Sequence, residues 1–302
     1  MPGTIEIQNF SKSYGSINAV KNISFKVESG ELFGLIGPDG AGKTTTMRTL
    51  CTLLDCDDGE MVVDGRDVRS EVPYIRSNLG YMPQRFSLYP DLTVEQNLHF
   101  FADLFAVAKE EKHTRLQQLY QFSKLDPFKN RLASALSGGM KQKLALSCTL
   151  IHTPRILILD EPTTGVDPVS RHEFWEILQT LRDDRVTILV STPYMDEAGL
   201  CDRVAFMHNG HILAEDKPGR LPHYFPGVLY EVRSEDTRIL AAYFRSAVEV
   251  QSAQIFGDRI HVGFDKEVKA EDVARLKKNA PAKIESMSAI QPSIEDTFLA
   301  LM

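Results

Sequence analysis

The chain has 302 residues, 43% of them hydrophobic and 25% charged, and its 34 Lys and Arg against 41 Asp and Glu give a formal charge of −7. This length favours two domains, and the composition is that of a globular protein, which excludes wholesale disorder. No apolar run approaches the roughly 20 residues of a membrane-spanning helix, and the N-terminus has no pattern typical of a signal peptide. We therefore expect neither an integral membrane protein nor a secreted one, and the acidic balance argues against a nucleic-acid partner.

The first part of the chain, up to about residue 218, alternates short β-branched runs with helical patterns, which predicts an α/β domain with a largely parallel sheet. Its opening predicts antiparallel strands at 4–10, 23–27 and 61–63. Continuous apolar runs predict fully buried strands at 33–36, 156–159 and 187–190. Asn209-Gly210 predicts a closing hairpin.

Two helical patterns lie within this domain. Met47, Leu50 and Leu54 are spaced as the core face of a helix that begins near Lys43. Residues 93–150 are expected to be mostly helical, and a capping box is predicted at their start, from Thr93 to Gln96.

The tail, residues 219–302, opens with a linker in which Pro and Gly recur up to Gly227. Its pattern reads strand, helix, strand, strand, helix, strand, at 228–233, 237–247, 248–256, 259–264, 271–279 and 283–288. This order predicts a small α+β domain built as a split βαβ unit, with a last short helix from Ser293. Because no catalytic pattern occurs in it, we expect a regulatory or dimer-forming domain.

Residues 37–44, Gly-Pro-Asp-Gly-Ala-Gly-Lys-Thr, fit the phosphate-loop pattern G-x-x-x-x-G-K-[ST], and they stand between a predicted buried strand and a predicted helix. The glycines let backbone N–H groups turn toward phosphates, and the helix N-terminus adds its positive end. We expect Lys43 to reach the β- and γ-phosphates and the Thr44 hydroxyl to bind Mg²⁺. Asp39 occupies a variable position of the pattern.

An acidic pair follows the predicted strand at 156–159. Asp160 stands at the carboxyl end of this strand, where ligands of open α/β sheets bind. We expect Asp160 to hold Mg²⁺ through water, and Glu161 to orient and activate an attacking water.

Two further motifs complete a recognisable set: Leu-Ser-Gly-Gly at 136–139, and Gln84 after Tyr-Met-Pro. With them, residues 4 to about 216 resemble the ATP-binding subunit of ATP-binding cassette (ABC) transporters. The resemblance implies an α/β P-loop ABC ATPase domain over residues 1–218, with a RecA-like core, an antiparallel β subdomain and a helical subdomain at about 85–150. The tail, 219–302, would then be a ferredoxin-like C-terminal domain.

The resemblance also implies a head-to-tail dimer, in which each ATP lies between one subunit's phosphate loop and the other's Ser-Gly-Gly segment. The nucleotide contacts that it implies are Tyr14, Gly37, Asp39, Gly40, Ala41, Gly42, Lys43, Thr44, Thr45, Ser137, Gly138 and Gly139. It implies Thr44, Gln84 and Asp160 as the metal set, and Glu161 with Gln84 as the catalytic set. Two alternatives remain open: Tyr14 as an ordinary half-buried strand aromatic, and Ser137 as a simple helix cap.

One position departs from the family. The pattern S-T-H-x-M-D-E-A places a switch histidine after the last core strand, and here Pro193 stands in its place. Proline has neither a side-chain donor nor an N–H, so it cannot contact the γ-phosphate as an imidazole does. This predicts a divergent site that hydrolyses ATP slowly; the alternative is a harmless substitution with Glu161 sufficient for hydrolysis.

The ending Pro-Ser-Ile-Glu-Asp-Thr-Phe-Leu, at 292–299, resembles that of exporter-type ATP-binding subunits. The resemblance implies separate ABC permease subunits, peripheral association with the cytoplasmic face of the inner membrane, and a homodimer or a heterodimer with a second ABC ATPase. The alternative function is the ATP-gated, hydrolysis-poor structural half of such a heterodimer. A cassette protein acting on ribosomes or DNA is disfavoured by the single cassette and the negative charge.

Overall fold

The structure, a computed structural model, describes residues 3–85 and 88–302. The chain divides into two compact units, the first ending at Glu215 and the second beginning at Asp216. In the described ranges, no helix combines the length and the apolar character needed to cross a bilayer.

The first unit contains most of the strands and the longest helices. In chain order its elements are β1 (Ile5–Tyr14), β2 (Ile17–Val27), β3 (Leu32–Ile36), α1 (Lys43–Leu50), β4 (Asp58–Val63), β5 (Arg66–Asp67), α2 (Val72–Asn78), β6 (Leu79–Met82), α3 (Val94–Leu104), α4 (Lys109–Ser123), α5 (Gly138–Leu150), β7 (Ile156–Asp160), α6 (Pro168–Asp183), β8 (Thr187–Thr192), β9 (Arg203–His208) and β10 (His211–Asp216).

A six-stranded sheet forms the centre of this unit, in the order β10-β9-β3-β8-β7-β6. The pairs β9-β3, β3-β8, β8-β7 and β7-β6 are parallel, so their carboxyl ends meet at one edge. Every residue of β3, β7 and β8 is buried, which confirms the three fully buried strands predicted from apolar runs. The predicted hairpin is confirmed as well, since Asn209 and Gly210 have φ values of 48° and 83°, as a type I′ turn requires.

A second sheet is antiparallel, in the order β2-β1-β4-β5. Its inner face packs with α1 and the central sheet into one apolar core. Members of that core from the three elements include Ile5, Ile7, Phe25, Met47, Leu50, Leu35 and Leu189. The predicted antiparallel opening is therefore confirmed, with β1 and β2 both longer than expected.

Helix α1 begins at Lys43 as predicted but ends at Leu50. Leu54, expected on its core face, lies beyond this end and is only half-buried. The helix stops because Thr52 adopts the left-handed conformation, with φ 58°, and a helix cannot continue through such a residue. At α3, the predicted capping box is present, since Thr93 Oγ1 accepts from Gln96 N and Gln96 Oε1 accepts from Thr93 N.

The second unit has the predicted element order of the tail. Its elements are β11 (Val228–Arg233), α7 (Thr237–Ser246), β12 (Val250–Phe256), β13 (Arg259–Phe264), α8 (Ala270–Asn279), β14 (Ser286–Ile290) and α9 (Ile294–Leu301). The strands form an antiparallel sheet in the order β12-β13-β11-β14. The strand expected at 283–288 is shifted, because its partner β11 ends at Arg233 and the ladder therefore starts at Ser286.

Candidate functional site

The loop between β3 and α1 can be built only with glycine at two of its positions. A Cβ on Gly37 would lie 2.0 Å from the backbone oxygen of Met207, and one on Gly42 would lie 2.6 Å from that of Ala19. Gly42 also has φ 109°, a conformation that other residues rarely adopt. The loop is thus pressed against the neighbouring strands and leads directly into the N-terminus of α1.

A cavity lies over this loop and brings together most of the residues predicted to bind phosphate. It is lined by Ala19, Asp39, Gly40, Ala41, Gly42, Lys43, Thr44, Thr45, Gln84 and Glu161. Tyr14 is not part of this lining. The residue is 45% exposed at the end of β1, with Lys12 Nζ 6.0 Å from the centroid of its ring. We refer to this space as the phosphate-loop cavity.

Lys43 is held at the floor of the cavity. Its Nζ donates to the backbone oxygens of Gly37, at 2.7 Å, and Pro38, at 3.0 Å, and lies 3.1 Å from Oε1 of Glu161. The side chains of Lys43 and Glu161 are both almost fully buried. A buried cation needs such partners, and a phosphate entering the cavity would offer it a further one.

The two carboxylate oxygens of Asp160 differ in their contacts. Its Oδ1 accepts from Thr44 Oγ1 at 3.1 Å and from Ser191 Oγ at 2.8 Å. Its Oδ2 is buried and has no hydrogen-bond partner among the residues that the structure describes, which suits a metal ligand. Burial is the main cause that raises the pKa of this carboxyl above its usual value. The hydroxyl of Thr44 and the carboxylate of Asp160 are oxygen ligands of the kind that Mg²⁺ prefers, and the residues present therefore fit this ion.

Glu161 follows β7 in a constrained conformation. Its φ is 48°, and its backbone N–H donates to Ser191 Oγ at 3.0 Å. Its Oε2 accepts from Gln84 Nε2 at 2.8 Å and from Thr164 Oγ1 at 3.3 Å. The two carboxylates that sequence reasoning paired thus lie beside the phosphate loop, one near Thr44 and the other near Lys43.

The Ser-Gly-Gly segment is not brought to this cavity. Ser137 caps α5, with its Oγ accepting from Met140 N at 3.3 Å, and both Ser137 and Gly138 are exposed. Gly139 is buried against α6, where an added Cβ would lie 2.3 Å from Ser170 Oγ. The exposed start of α5 therefore contributes no residue to the lining of the phosphate-loop cavity.

A second cavity shares Gln84 with the first. Its lining comprises Gln84, Arg85, Leu88, Pro90, Ala133, Ser134, Gly138, Lys141, Gln142, Ala145, Thr164, Gly165 and Val166. We refer to it as the helical-side cavity, since α5 and the segment before it supply much of its wall. Gln84 is thus a wall residue of both cavities and at the same time a hydrogen-bond donor to Glu161.

The segment that carries Pro193 follows β8. Thr192 ends that strand, and its backbone oxygen accepts from Gly37 N at 3.2 Å. The Thr192 hydroxyl accepts from Tyr194 N at 3.0 Å and donates to buried Glu197. Sequence reasoning missed Ser191, Thr192 and Glu197 as parts of the site. For Ser191 and Thr192 the signal available was their place at the carboxyl end of a parallel strand. Glu197 lies beyond that strand, in the short 3₁₀ helix Met195–Leu200.

The chain is similar to known proteins over most of its length. A family model described as ABC transporter matches residues 20–164. The probable multidrug ABC transporter ATP-binding protein YbhF of Escherichia coli K12 is 39% identical over 286 residues, which are 94% of this chain and 49% of that protein. The chain thus spans about half the length of this relative. The Nod factor export ATP-binding protein I of Paraburkholderia xenovorans is 36% identical over 300 residues, 98% of this chain and 96% of that protein.

Solved structures agree with these relatives. A dimeric ATP-binding cassette in a post-hydrolysis state, bound to ADP and Pi, is 27% identical and superposes with a TM-score of 0.64 over 70% of this chain and 98% of that one. An ATP-binding subunit of an ABC transporter is 28% identical with a TM-score of 0.66, over 73% of this chain and 92% of that one.

Proposed function

The chain belongs to the ABC transporter family as an ATP-binding protein, and from this premise we propose that it binds and hydrolyses Mg-ATP to power an exporter. The observation that carries the proposal is one cavity in which Lys43, Thr44, Gln84 and Glu161 converge, with Asp160 3.1 Å from the Thr44 hydroxyl. This is the set of groups that phosphate binding, metal binding and water activation each require.

In this proposal each side chain of the site has a separate role in ATP hydrolysis. Lys43 exchanges its contact with Glu161 for the nucleotide's phosphates, which frees the Glu161 carboxylate to accept a proton from the attacking water. Thr44 and Asp160 hold Mg²⁺, which when bound neutralises phosphate charge. Gln84 keeps Glu161 oriented through its 2.8 Å hydrogen bond, in which the amide nitrogen is the donor. Its amide oxygen would then be a ligand for Mg²⁺ or an acceptor for the attacking water.

We propose a head-to-tail dimer for the complete site. Ser137 and Gly138 are exposed, and neither lines the chain's own phosphate-loop cavity. This supports the proposal that they contact the nucleotide of another subunit. A helix N-terminus with free N–H groups suits a γ-phosphate. The partner is a second copy or another ABC ATPase, and Tyr14 supplies the surface on which adenine stacks.

Export and location follow from the relatives by analogy. One relative is named a probable multidrug ABC transporter ATP-binding protein and another a Nod factor export ATP-binding protein. We propose that this chain likewise drives outward transport through separate permease subunits. It would then lie at the cytoplasmic face of the inner membrane, held there by the permease. The 219–302 domain would regulate or stabilise the dimer.

A second candidate function is the hydrolysis-poor half of a heterodimer. The observation in its favour is Pro193, which offers no donor to the γ-phosphate from the segment that touches the phosphate loop at Gly37. In this arrangement the chain's Ser137 and Gly138 would complete the active site of a more active partner.

The test is phosphate release and binding of a fluorescent ATP analogue by the purified full chain. We expect Lys43→Ala to lower turnover on the order of 10²-fold and to weaken binding, because it removes the buried cation. Lys109→Ala, an exposed lysine at the start of α4, is the matched control and should behave as the wild type. If the wild type binds the fluorescent ATP analogue tightly but releases no phosphate from Mg-ATP, the hydrolysis-poor half of a heterodimer is favoured. If it does not bind the analogue, both candidate functions are rejected.

A further inference from the structure

A buried carboxylate outside the phosphate-loop cavity connects two parts of the site. Glu197 is 2% exposed and lies in a short 3₁₀ helix after β8, Met195–Leu200. Its Oε1 accepts from Thr163 Oγ1 at 2.9 Å, and its Oε2 accepts from Thr192 Oγ1. Arg171 Nε lies 3.6 Å from the same Oε1. The burial of a carboxylate without such partners is unfavourable in free energy. These contacts therefore fix the position of the Glu197 side chain.

The two threonines belong to the two segments that carry the chemistry. Thr163 stands two residues after Glu161, in the loop that follows β7. Thr192 ends β8, directly before Pro193, and its backbone oxygen is bonded to the phosphate loop at Gly37. Glu197 thus joins the Glu161 loop to the segment that also touches the phosphate loop.

The Glu161 loop needs such support. The left-handed conformation is unfavourable for a residue other than glycine, and Glu161 adopts it with φ 48°. A strained residue of this kind persists only where its surroundings hold it in place. The bond from Glu161 N to Ser191 Oγ holds one end of the loop, and the bond from Thr163 to Glu197 holds the chain two residues on.

Arg171 anchors the same contacts to α6. Its guanidinium pairs with Asp196 as well as Glu197, and it lies 4.7 Å from the centroid of the Tyr194 ring. The segment around Pro193 is therefore fixed by its neighbours although position 193 itself has no donor. Arg171 is 25% exposed, which leaves the pair with Glu197 only partly screened by solvent.

We propose that Glu197 is a positioning residue for ATP hydrolysis, which with Arg171 holds the Glu161 loop against the β8 segment so that the Glu161 carboxylate stays beside the phosphates. The inference rests on the proposed ATPase function. Glu197 does not line the phosphate-loop cavity, so in this proposal it does not contact the nucleotide and acts through Glu161.

The experiment compares kcat, KM, affinity for the fluorescent analogue and Tm among variants of the full chain. Thr163→Val and Glu197→Gln each should lower kcat about 10-fold with KM and affinity within about 2-fold of wild type, since ground-state binding is retained. Arg171→Lys, which keeps the charge, should retain more activity than Arg171→Gln. His172→Gln, an exposed neighbour on α6, is the control and should match the wild type.

A double substitution separates positioning from general destabilisation. In the Glu161→Gln background, Glu197→Gln should cause no further fall in kcat, because it acts through the residue already removed. A further 10-fold fall there, or unchanged kcat in both Thr163→Val and Glu197→Gln, would overturn the inference while leaving the ATPase proposal standing. Absence of phosphate release by the wild type would reject the ATPase proposal, and the inference with it.

Discussion

The Nζ atom of Lys43 lies 3.1 Å from Oε1 of Glu161, and both side chains are almost fully buried. The cation expected to bind phosphate and the carboxylate expected to activate water are therefore partners before either meets a substrate. Since each neutralises the other, the cavity avoids an unpaired buried charge.

Glu161→Gln tests the role of this carboxylate. The amide has nearly the same shape and keeps an oxygen toward Lys43, but it cannot accept a proton from water. We expect Mg-ATP to bind with similar affinity and phosphate release to fall by 10²-fold or more, the usual contribution of a general base. Glu176→Gln, on the exposed side of α6, is the matched control. Equal turnover in wild type and Glu161→Gln would exclude Glu161 as the base.

Asp160→Asn should separate metal binding from stability. Burial raises the pKa of Asp160 above 3.8, so the folded protein disfavours the charged form, and this cost is present at neutral pH and disappears as the pH falls through the raised value. Removing the charge should raise the Tm of the nucleotide-free protein by roughly 2–4 °C if about 1 kcal/mol is recovered. The variant should also lose the additional Tm increase that Mg²⁺ gives with ATP. A lower Tm would contradict the desolvation argument.

Pro193→His restores an imidazole at the end of β8. If the missing donor limits hydrolysis, the variant should release phosphate about 10-fold faster or more, at saturating Mg-ATP, than the wild type. Wild-type turnover matching that of the histidine variant would show that the site does not need this group. Pro193→Ala controls for removal of the proline ring and should not gain activity.

Gly139 and Gly138 form a matched pair for a test of packing. An alanine Cβ at 139 would meet Ser170 Oγ at 2.3 Å, whereas at 138 the nearest atom is 3.9 Å away. Gly139→Ala should therefore cost about 1–3 kcal/mol, the usual price of overpacking, and Gly138→Ala should leave Tm unchanged or slightly higher. Thermal unfolding of both variants measures this; equal Tm changes would contradict the close approach of α5 and α6.

His152 gives a prediction about pH. Its ring stacks on Phe105 at 4.0 Å, its Nε2 lies 3.3 Å from the backbone oxygen of Leu79, and burial lowers its pKa below 6.5. The folded state thus favours the neutral ring, and stability is lost as the pH falls through 6.5 toward the depressed value. Between pH 7.5 and 5.5 the wild type should lose more Tm than His152→Gln. The exposed His172→Gln should keep the wild-type dependence.

The local parts of the site could be predicted from sequence because a short motif determines them. The glycines of the phosphate loop, Lys43 and Thr44 lie within eight residues, and Gly40, Gly42, Lys43 and Thr44 line one cavity. The three buried parallel strands β3, β7 and β8 could also be predicted from local sequence, because burial on both faces leaves continuous apolar runs. Strand β6 was not predicted, because Gly80 interrupts its apolar run. This glycine is required by the close approach to β7, since a Cβ there would lie 2.7 Å from Leu157 Cδ2.

The remaining contacts depend on register between distant segments. Ser191 reaches Asp160 because β7 and β8 pair with these two residues opposite each other, a fact that no pattern around either residue contains. The contacts of Glu197 need, in addition, the conformation of the short helix after β8. The roles of the predicted nucleotide and metal ligands stay predictions, which the substitutions above test.

Gln84 belongs to the walls of two cavities and donates to Glu161. A ligand that bound in the helical-side cavity and moved this amide would change the affinity of the phosphate-loop cavity for nucleotide. Thermodynamic linkage then requires the nucleotide to change the affinity of that occupant by the same factor. The Gln84 amide would thus couple the two binding equilibria, and the binding of either ligand could be measured through its effect on the affinity of the other.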